Sequence, residues 1–171
     1  MNVSNVLSRS ALFFPDHPAV SADSIELTYR NLNTLTNRVA SALCYHGIKP
    51  GDYVGICAPN SPEWLAMYFG IIRAGAVAVT FSYALQSEEL ALLVGHARPK
   101  LVFTNQSKLP QFENIKDQAG IETLVSDGTA LSFEVFLEKG RDDFLTVECE
   151  RSDPAAVLYT GGTSGTPKGV A

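Results

Sequence analysis

Leu32, Leu35, Val39, Ala42 and Leu43 recur at the spacing of a helix turn, which predicts an amphipathic helix capped by Thr28 and running to about His46. Gly47 stands where a residue in the left-handed conformation ends a helix, and Pro50-Gly51-Asp52 makes a turn. The pattern then changes to short, unbroken apolar runs. Residues 53–58 read as a strand. Asn60 or Ser61 caps a second helix with Pro62 in its first turn, extending to about Arg73 and ended by Gly75. Residues 76–81 (A-V-A-V-T-F) form the next strand, and their continuous apolar character suits one covered on both faces. Ser87 caps a helix to about Ala97, Pro99 closes it, and residues 101–104 supply a third strand.

Strands alternating with helices imply an α/β fold of layered βαβ units around a mainly parallel sheet. Beyond position 104 the pattern thins. Residues 121–125 read as a fourth strand, 130–139 as a helix, 141–153 as a charged surface connection, and 157–159 as a last strand leading into a loop. No internal repeat or low-complexity stretch interrupts the chain, and 171 residues suit one domain, taken as 1–171.

Composition narrows the picture by exclusion. Apolar residues make up 46% and charged residues 18% of the chain, with a net charge of −5 and no basic cluster, so no nucleic-acid partner is expected. The longest apolar stretch, 65–81, contains Arg73, Gly70 and Gly75 and falls short of the ~20 residues that span a membrane. Residues 1–10 lack the basic and apolar blocks of a secretory signal. Cys44, Cys57 and Cys149 are widely spaced, without a C-x-x-C pair, and His17, His46 and His96 are scattered, so no metal site is expected. A cytoplasmic setting follows as the expectation.

Chemistry concentrates at the end of the chain, in Tyr159-Thr160-Gly161-Gly162-Thr163-Ser164-Gly165-Thr166-Pro167-Lys168-Gly169-Val170. Gly161, Gly162 and Gly165 allow the backbone to bring N–H groups close to anionic oxygens. The hydroxyls of Thr160, Thr163, Ser164 and Thr166 add donors, and Lys168 adds a compact positive charge. The spacing is not that of a Walker A loop, because Pro167 precedes Lys168 and Gly169 follows it, nor does it match G-x-G-x-x-G. Two readings of the residues remain open at this level: a polyphosphate grip, and a flexible Gly/Ser/Thr tail.

This stretch resembles the signature loop of AMP-forming acyl-CoA synthetases, luciferases and peptide-synthetase adenylation domains, commonly Tyr-Thr-Ser-Gly-Thr-Thr-Gly-x-Pro-Lys-Gly. It departs at Gly161, where serine is usual, and at Ser164, where threonine is usual. The segments at 27–32, 47–52, 59–63, 73–77 and 153–158 resemble successive segments of the same family, while Thr80-Phe81-Ser82-Tyr83 departs from it. The resemblance implies an incomplete part of the large N-terminal domain of an adenylate-forming enzyme, ending just after the phosphate loop.

It further implies that a carboxylic acid, fatty or otherwise organic, attacks ATP to give an acyl-adenylate and pyrophosphate, and that coenzyme A then captures the acyl group. Thr160, Gly161, Gly162, Thr163, Ser164, Gly165, Thr166 and Lys168 would bind the ATP phosphates, with Mg²⁺ sharing their charge. No catalytic or metal-ligating side chain is expected within this chain. The downstream part of the same enzyme is the missing partner, the chain alone is expected to be inactive, and its uncovered apolar surface favours self-association. Two alternatives stand beside this one: an adenylation domain serving a carrier-protein pantetheine, and a non-catalytic nucleotide-binding or interaction module.

Overall fold

Thr28 caps its helix as its position predicts: its Oγ accepts the Asn31 N–H at 3.3 Å, opening α2 (Tyr29–Tyr45). Ser61 rather than Asn60 caps α3 (Pro62–Arg73), accepting the Trp64 N–H at 3.1 Å. Gly47 and Gly75, just past these two helices, have φ of +84° and +74°, values that a side chain resists. A computed structural model describes residues 2–22, 25–160 and 168–171, with only the backbone of Thr160 and Lys168.

Around these helices the order is α1 (Asn5–Phe13), β1 (Pro18–Ala22), β2 (Ile25–Thr28), α2, β3 (Tyr53–Cys57), α3, β4 (Val77–Thr80), α4 (Ser87–Ala97), β5 (Leu101–Thr104), α5 (Leu109–Ala119), β6 (Thr123–Val125), α6 (Phe133–Leu137), β7 (Ala156–Thr160) and β8 (Lys168–Val170). β1 and β2 form a separate antiparallel pair. The main sheet has the order β6-β5-β3-β4-β7-β8 and is parallel except where β8 returns antiparallel along β7. The expected α/β class and mainly parallel sheet are thus present.

Alternation along the strands divides the core into two layers. Val54, Ile56, Ala78, Leu101 and Phe103 face α2, α3 and α6 through Val39, Leu43, Ile71 and Phe136. Cys57, Val79 and Val102 face α4 and α5 through Leu90, Leu93, Val94 and Phe112. Both faces of the central strands are therefore covered, which is why those runs are apolar throughout. Gly70 is a packing requirement rather than a break in its helix. A Cβ there would lie 2.5 Å from Cγ1 of Val39, so α2 and α3 approach as closely as they do only because that side chain is absent.

Several elements differ from expectation. α4 begins one residue earlier at its cap, Gln86, whose N–H donates to the Glu89 carboxylate at 3.3 Å, so Ser87 is inside the helix. The helix expected over 130–139 shrinks to α6, capped by Ser132. α1, the β1–β2 pair, α5 and β8 carry too few buried positions for the pattern to show them. Among the residues of α1, only Leu7 is buried. The segment 141–153 is a surface connection as expected, yet it is fastened: Val147 N–H donates to the Arg73 carbonyl at 3.0 Å and Asn37 Nδ2 donates to the Asp142 carbonyl at 2.7 Å.

Arg73 is 1% exposed at the end of α3. Its guanidinium donates to the carbonyls of Asn33 (3.3 Å) and Ser4 (3.4 Å), to Ser8 Oγ (3.0 Å) and to Asn37 Oδ1. Burial lowers its pKa to about 10, which still leaves it charged at neutral pH. Asn2, 2% exposed, extends the same knot by donating to the carbonyls of Ile72 (2.7 Å) and Val147 (2.9 Å). Arg73→Ala leaves these acceptors dry and opens a cavity, so a loss of about 3 kcal/mol is expected in urea unfolding at unchanged m-value.

A second polar contact ties the starts of β3 and β5, where Lys100 Nζ lies 2.8 Å from Asp52 Oδ1. Burial alone would raise the Asp52 carboxyl, but the hydrogen bonds from Lys100 and the Lys49 N–H outweigh it and hold the carboxyl below its ordinary value of 3.8. A depressed folded-state pKa contributes stability that is present above the ordinary value and lost as pH falls through the lower one. Asp52→Asn should therefore reduce stability at neutral pH and flatten its fall in acid, as read by urea midpoints across that pH range.

Candidate functional site

The chain leaves β3 into α3 on one face of the sheet and leaves β4 into α4 on the other. Two adjacent parallel strands whose connections part in opposite directions open a crevice at their C-terminal ends, the place where open α/β sheets bind ligands. A cleft of about 620 Å³ lies there. Its walls are Ala58, Pro59 and Asn60 after β3, Trp64 of α3, the segment from Thr80 to Ala84 after β4, and Leu158 and Tyr159 of β7. This volume falls within the ~300–1,000 Å³ of small-molecule sites.

The glycine-rich loop starts at the rim of this cleft. β7 pairs with β4, placing Leu158 opposite Thr80, and β8 then runs back along β7 with Thr160 opposite Lys168 and Tyr159 opposite Gly169. Gly161, Gly162, Thr163, Ser164, Gly165, Thr166 and Pro167 lie outside the described residues. What the fold fixes is the frame: the seven residues 161–167 join two adjacent antiparallel strands. A Walker A loop leads from a strand into a helix whose N-terminus adds its dipole. Here a strand follows, so no helix dipole is available at the end of this loop.

Tyr159 is the most heavily engaged side chain at this rim. Its ring stacks on Phe81 with centroids 6.0 Å apart and meets the His96 imidazole edge-on at 5.9 Å. Its hydroxyl is hydrogen-bonded to His96 Nδ1 at 2.9 Å and donates to the Leu93 carbonyl at 3.4 Å. Burial raises its pKa, which keeps the phenol a neutral donor. A Cβ at Gly169 would lie 3.2 Å from Tyr159 Cε1, so the backbone of β8 rests on this ring.

On the far wall the Tyr83 hydroxyl bonds Ser107 Oγ and accepts from Asn105 Nδ2 at 3.0 Å. These two bonds, Ser107 first, hold the phenol below its ordinary value. Lys108 Nζ donates to the Leu85 carbonyl at 2.7 Å and lies 5.4 Å from the centroid of the Tyr83 ring. Cys57, at the end of β3 beside the cleft, is buried, and burial pushes its thiol up to about 11, so it is no nucleophile near neutral pH. Among the described residues the cleft lining contains no carboxylate, and no three His, Cys, Asp or Glu side chains converge to hold a metal.

Sequence reasoning located the loop but not its surroundings. Trp64, Phe81 and Tyr83 line this end of the sheet from separate segments, His96 reaches Tyr159 from α4, and only Tyr159 adjoins the loop in sequence. The apolar stretch 65–81 divides into the rest of α3, a turn and β4, and among the described residues no helix is long and apolar enough to cross a membrane.

The family profile described as AMP-binding enzyme matches residues 7–171. The chain is 34% identical over 147 residues to a long-chain-fatty-acid–CoA ligase of Mycobacterium tuberculosis, covering 85% of this chain and 29% of the relative. It is 35% identical over 156 residues to a linear gramicidin synthase polypeptide of Brevibacillus parabrevis, covering 91% of this chain and 2% of that protein. Its structure matches the crystal structure of an anthranilate CoA ligase in complex with anthranoyl-AMP, with a TM-score of 0.93, 28% identity, and coverage of 99% of this chain and 33% of that one. The chain thus spans a third or less of the length of these relatives. With the family profile extending over nearly its whole length, this chain belongs to the AMP-binding enzyme family.

Proposed function

We infer that this chain is the ATP-phosphate-gripping part of an AMP-forming carboxylate–CoA ligase. The observation that supports the reading is that Leu158 and Tyr159, which lead into the loop, line a cleft at the diverging ends of β3 and β4. An acid bound in that cleft attacks the α-phosphorus of ATP through a carboxylate oxygen. The new O–P bond forms as the bond from the α-phosphorus to the bridging oxygen breaks, and pyrophosphate leaves with the electron pair. The step needs positioning and charge stabilisation at the departing phosphates. Thr160, Gly161, Gly162, Thr163, Ser164, Gly165 and Thr166 supply backbone and hydroxyl donors, and Lys168 supplies the fixed positive charge.

Mg²⁺ neutralises part of the phosphate charge in such reactions, and none of the described cleft residues is assigned to it. Coenzyme A would take the acyl group from the adenylate through its thiol, in a cytoplasmic setting, on parts of the enzyme outside this chain. The 35% identity to a linear gramicidin synthase polypeptide supports a second reading, in which the acceptor is a carrier-protein pantetheine. Both readings share the adenylation step and the role of this loop.

The chain contains one tryptophan, Trp64, in the cleft wall, so its fluorescence reports on ligands there. Titration of the 171-residue chain with ATP or tripolyphosphate should change that emission saturably. Lys168→Ala should weaken both ligands about ten- to a hundredfold, as loss of a charged hydrogen bond does, with an unchanged urea midpoint. A folded wild type that binds neither, or a variant that binds both as well, would overturn the assignment. Pyrophosphate exchange is expected to be absent from this chain alone, and a carboxylate-dependent signal from it would show that no further part is needed.

A further inference from the structure

Both ends of the loop bear on one aromatic ring. At its start the chain passes from Tyr159 directly into Thr160. At its end, the residue after Lys168 is Gly169, and a Cβ there would stand 3.2 Å from Tyr159 Cε1 and 3.3 Å from Val157 Cγ1. A side chain on Gly169 would crowd the ring, so β8 or the ring would have to give by a few tenths of an ångström. Tyr159 therefore bears on both strands from which the loop springs.

The ring is held in turn by α4. Phe81 fixes the plane by stacking at an interplanar angle of 14°. Stacking resists tilt but allows sliding, whereas the hydroxyl contacts with His96 Nδ1 at 2.9 Å and the Leu93 carbonyl at 3.4 Å resist sliding. The pair works in either arrangement of protons. The phenol can donate to an unprotonated Nδ1, or donate to Leu93 while a protonated Nδ1 donates to the phenol oxygen. Leu90, Leu93 and Val94 bury the other side of α4 in the core, so His96 is the exposed end of a rigid element.

We propose that His96 and Tyr159 are positioning residues for the phosphate loop, transmitting the fixed position of α4 to both strands that carry it. The inference rests on the phosphate-binding reading above and adds to it two residues that lie outside the loop and need not touch the ligand. Preorganisation is the physical gain, because two strands already held in place lose less freedom when a triphosphate binds beside them. His96 is exposed and contributes no packed core surface, so this role separates from stability.

The test uses tripolyphosphate titrations of the 171-residue chain, read by Trp64 fluorescence, beside urea unfolding of each variant. His96→Ala should weaken binding about three- to tenfold, the consequence of one lost neutral hydrogen bond, while its unfolding midpoint stays near that of the wild type. His96→Asn, which puts an amide where Nδ1 stood, should restore most of the affinity. Tyr159→Phe, which also loses the Leu93 contact, should cost at least as much, and the double variant His96→Ala/Tyr159→Phe no more than Tyr159→Phe alone, as expected of residues acting through one hydroxyl.

Unchanged affinity in His96→Ala beside a wild type that binds would overturn the positioning role and leave the phosphate reading standing. Additive losses in the double variant, or a fall in affinity and midpoint together without rescue by asparagine, would overturn it as well. A folded wild type that does not bind tripolyphosphate would sink both.

Discussion

The central strands of this sheet must bury both of their faces, and most of the architecture follows from that demand. Val54, Ile56 and Cys57 in β3 and Val77, Ala78 and Val79 in β4 are all apolar and all buried. A sheet of this kind needs a helical layer on each side. α3 satisfies one face and α4 the other, and because they follow adjacent strands, the chain parts between them. The crevice is thus a consequence of how the hydrophobic layers are distributed.

A different kind of order operates where the layer of α1, α2 and α3 meets the segment around Val147. The contacts there are polar: the Arg73 guanidinium and the Asn2 amide serve backbone carbonyls and side chains from separate parts of the chain. A buried cation without a carboxylate partner is costly unless its donors find acceptors. Arg73 does so with carbonyls of Asn33 and Ser4, close to the C-terminal end of its own helix, where a positive charge is also favoured by the helix dipole. Its Nε remains without a partner among the described residues, so the satisfaction is incomplete. The arrangement fixes where α1 lies, which its single buried residue, Leu7, could not do by apolar burial.

At the candidate site apolar layering and polar fastening meet. The sheet supplies a rigid edge, and the aromatic and hydrogen-bonding contacts around Tyr159 tie the loop bases to α4. A phosphate grip built between two antiparallel strands lacks the dipole of a helix N-terminus. Under the proposed phosphate role, hydroxyls, backbone N–H groups and one lysine would do by number and placement what a helix end does by field. The density of Thr, Ser and Gly between positions 160 and 166 is consistent with that requirement.

Local sequence determined much here. Caps at Thr28 and Ser61, left-handed stops at Gly47 and Gly75, and unbroken apolar strands are all short-range effects, legible because each rests on the conformational preferences of a few adjacent residues. The loop stood out for the same reason, since its glycines, hydroxyls and lysine are contiguous. Tertiary structure alone decided the rest. α1 and α5 bury too few residues for a periodic signal, and Gly70 looked like an interruption until Val39 of another helix was placed against it. The sheet order, the return of β8 and the meeting of His96 with Tyr159, 63 positions apart, depend on which faces must be covered. That is a property of the whole packed chain, and no window of neighbouring residues contains it.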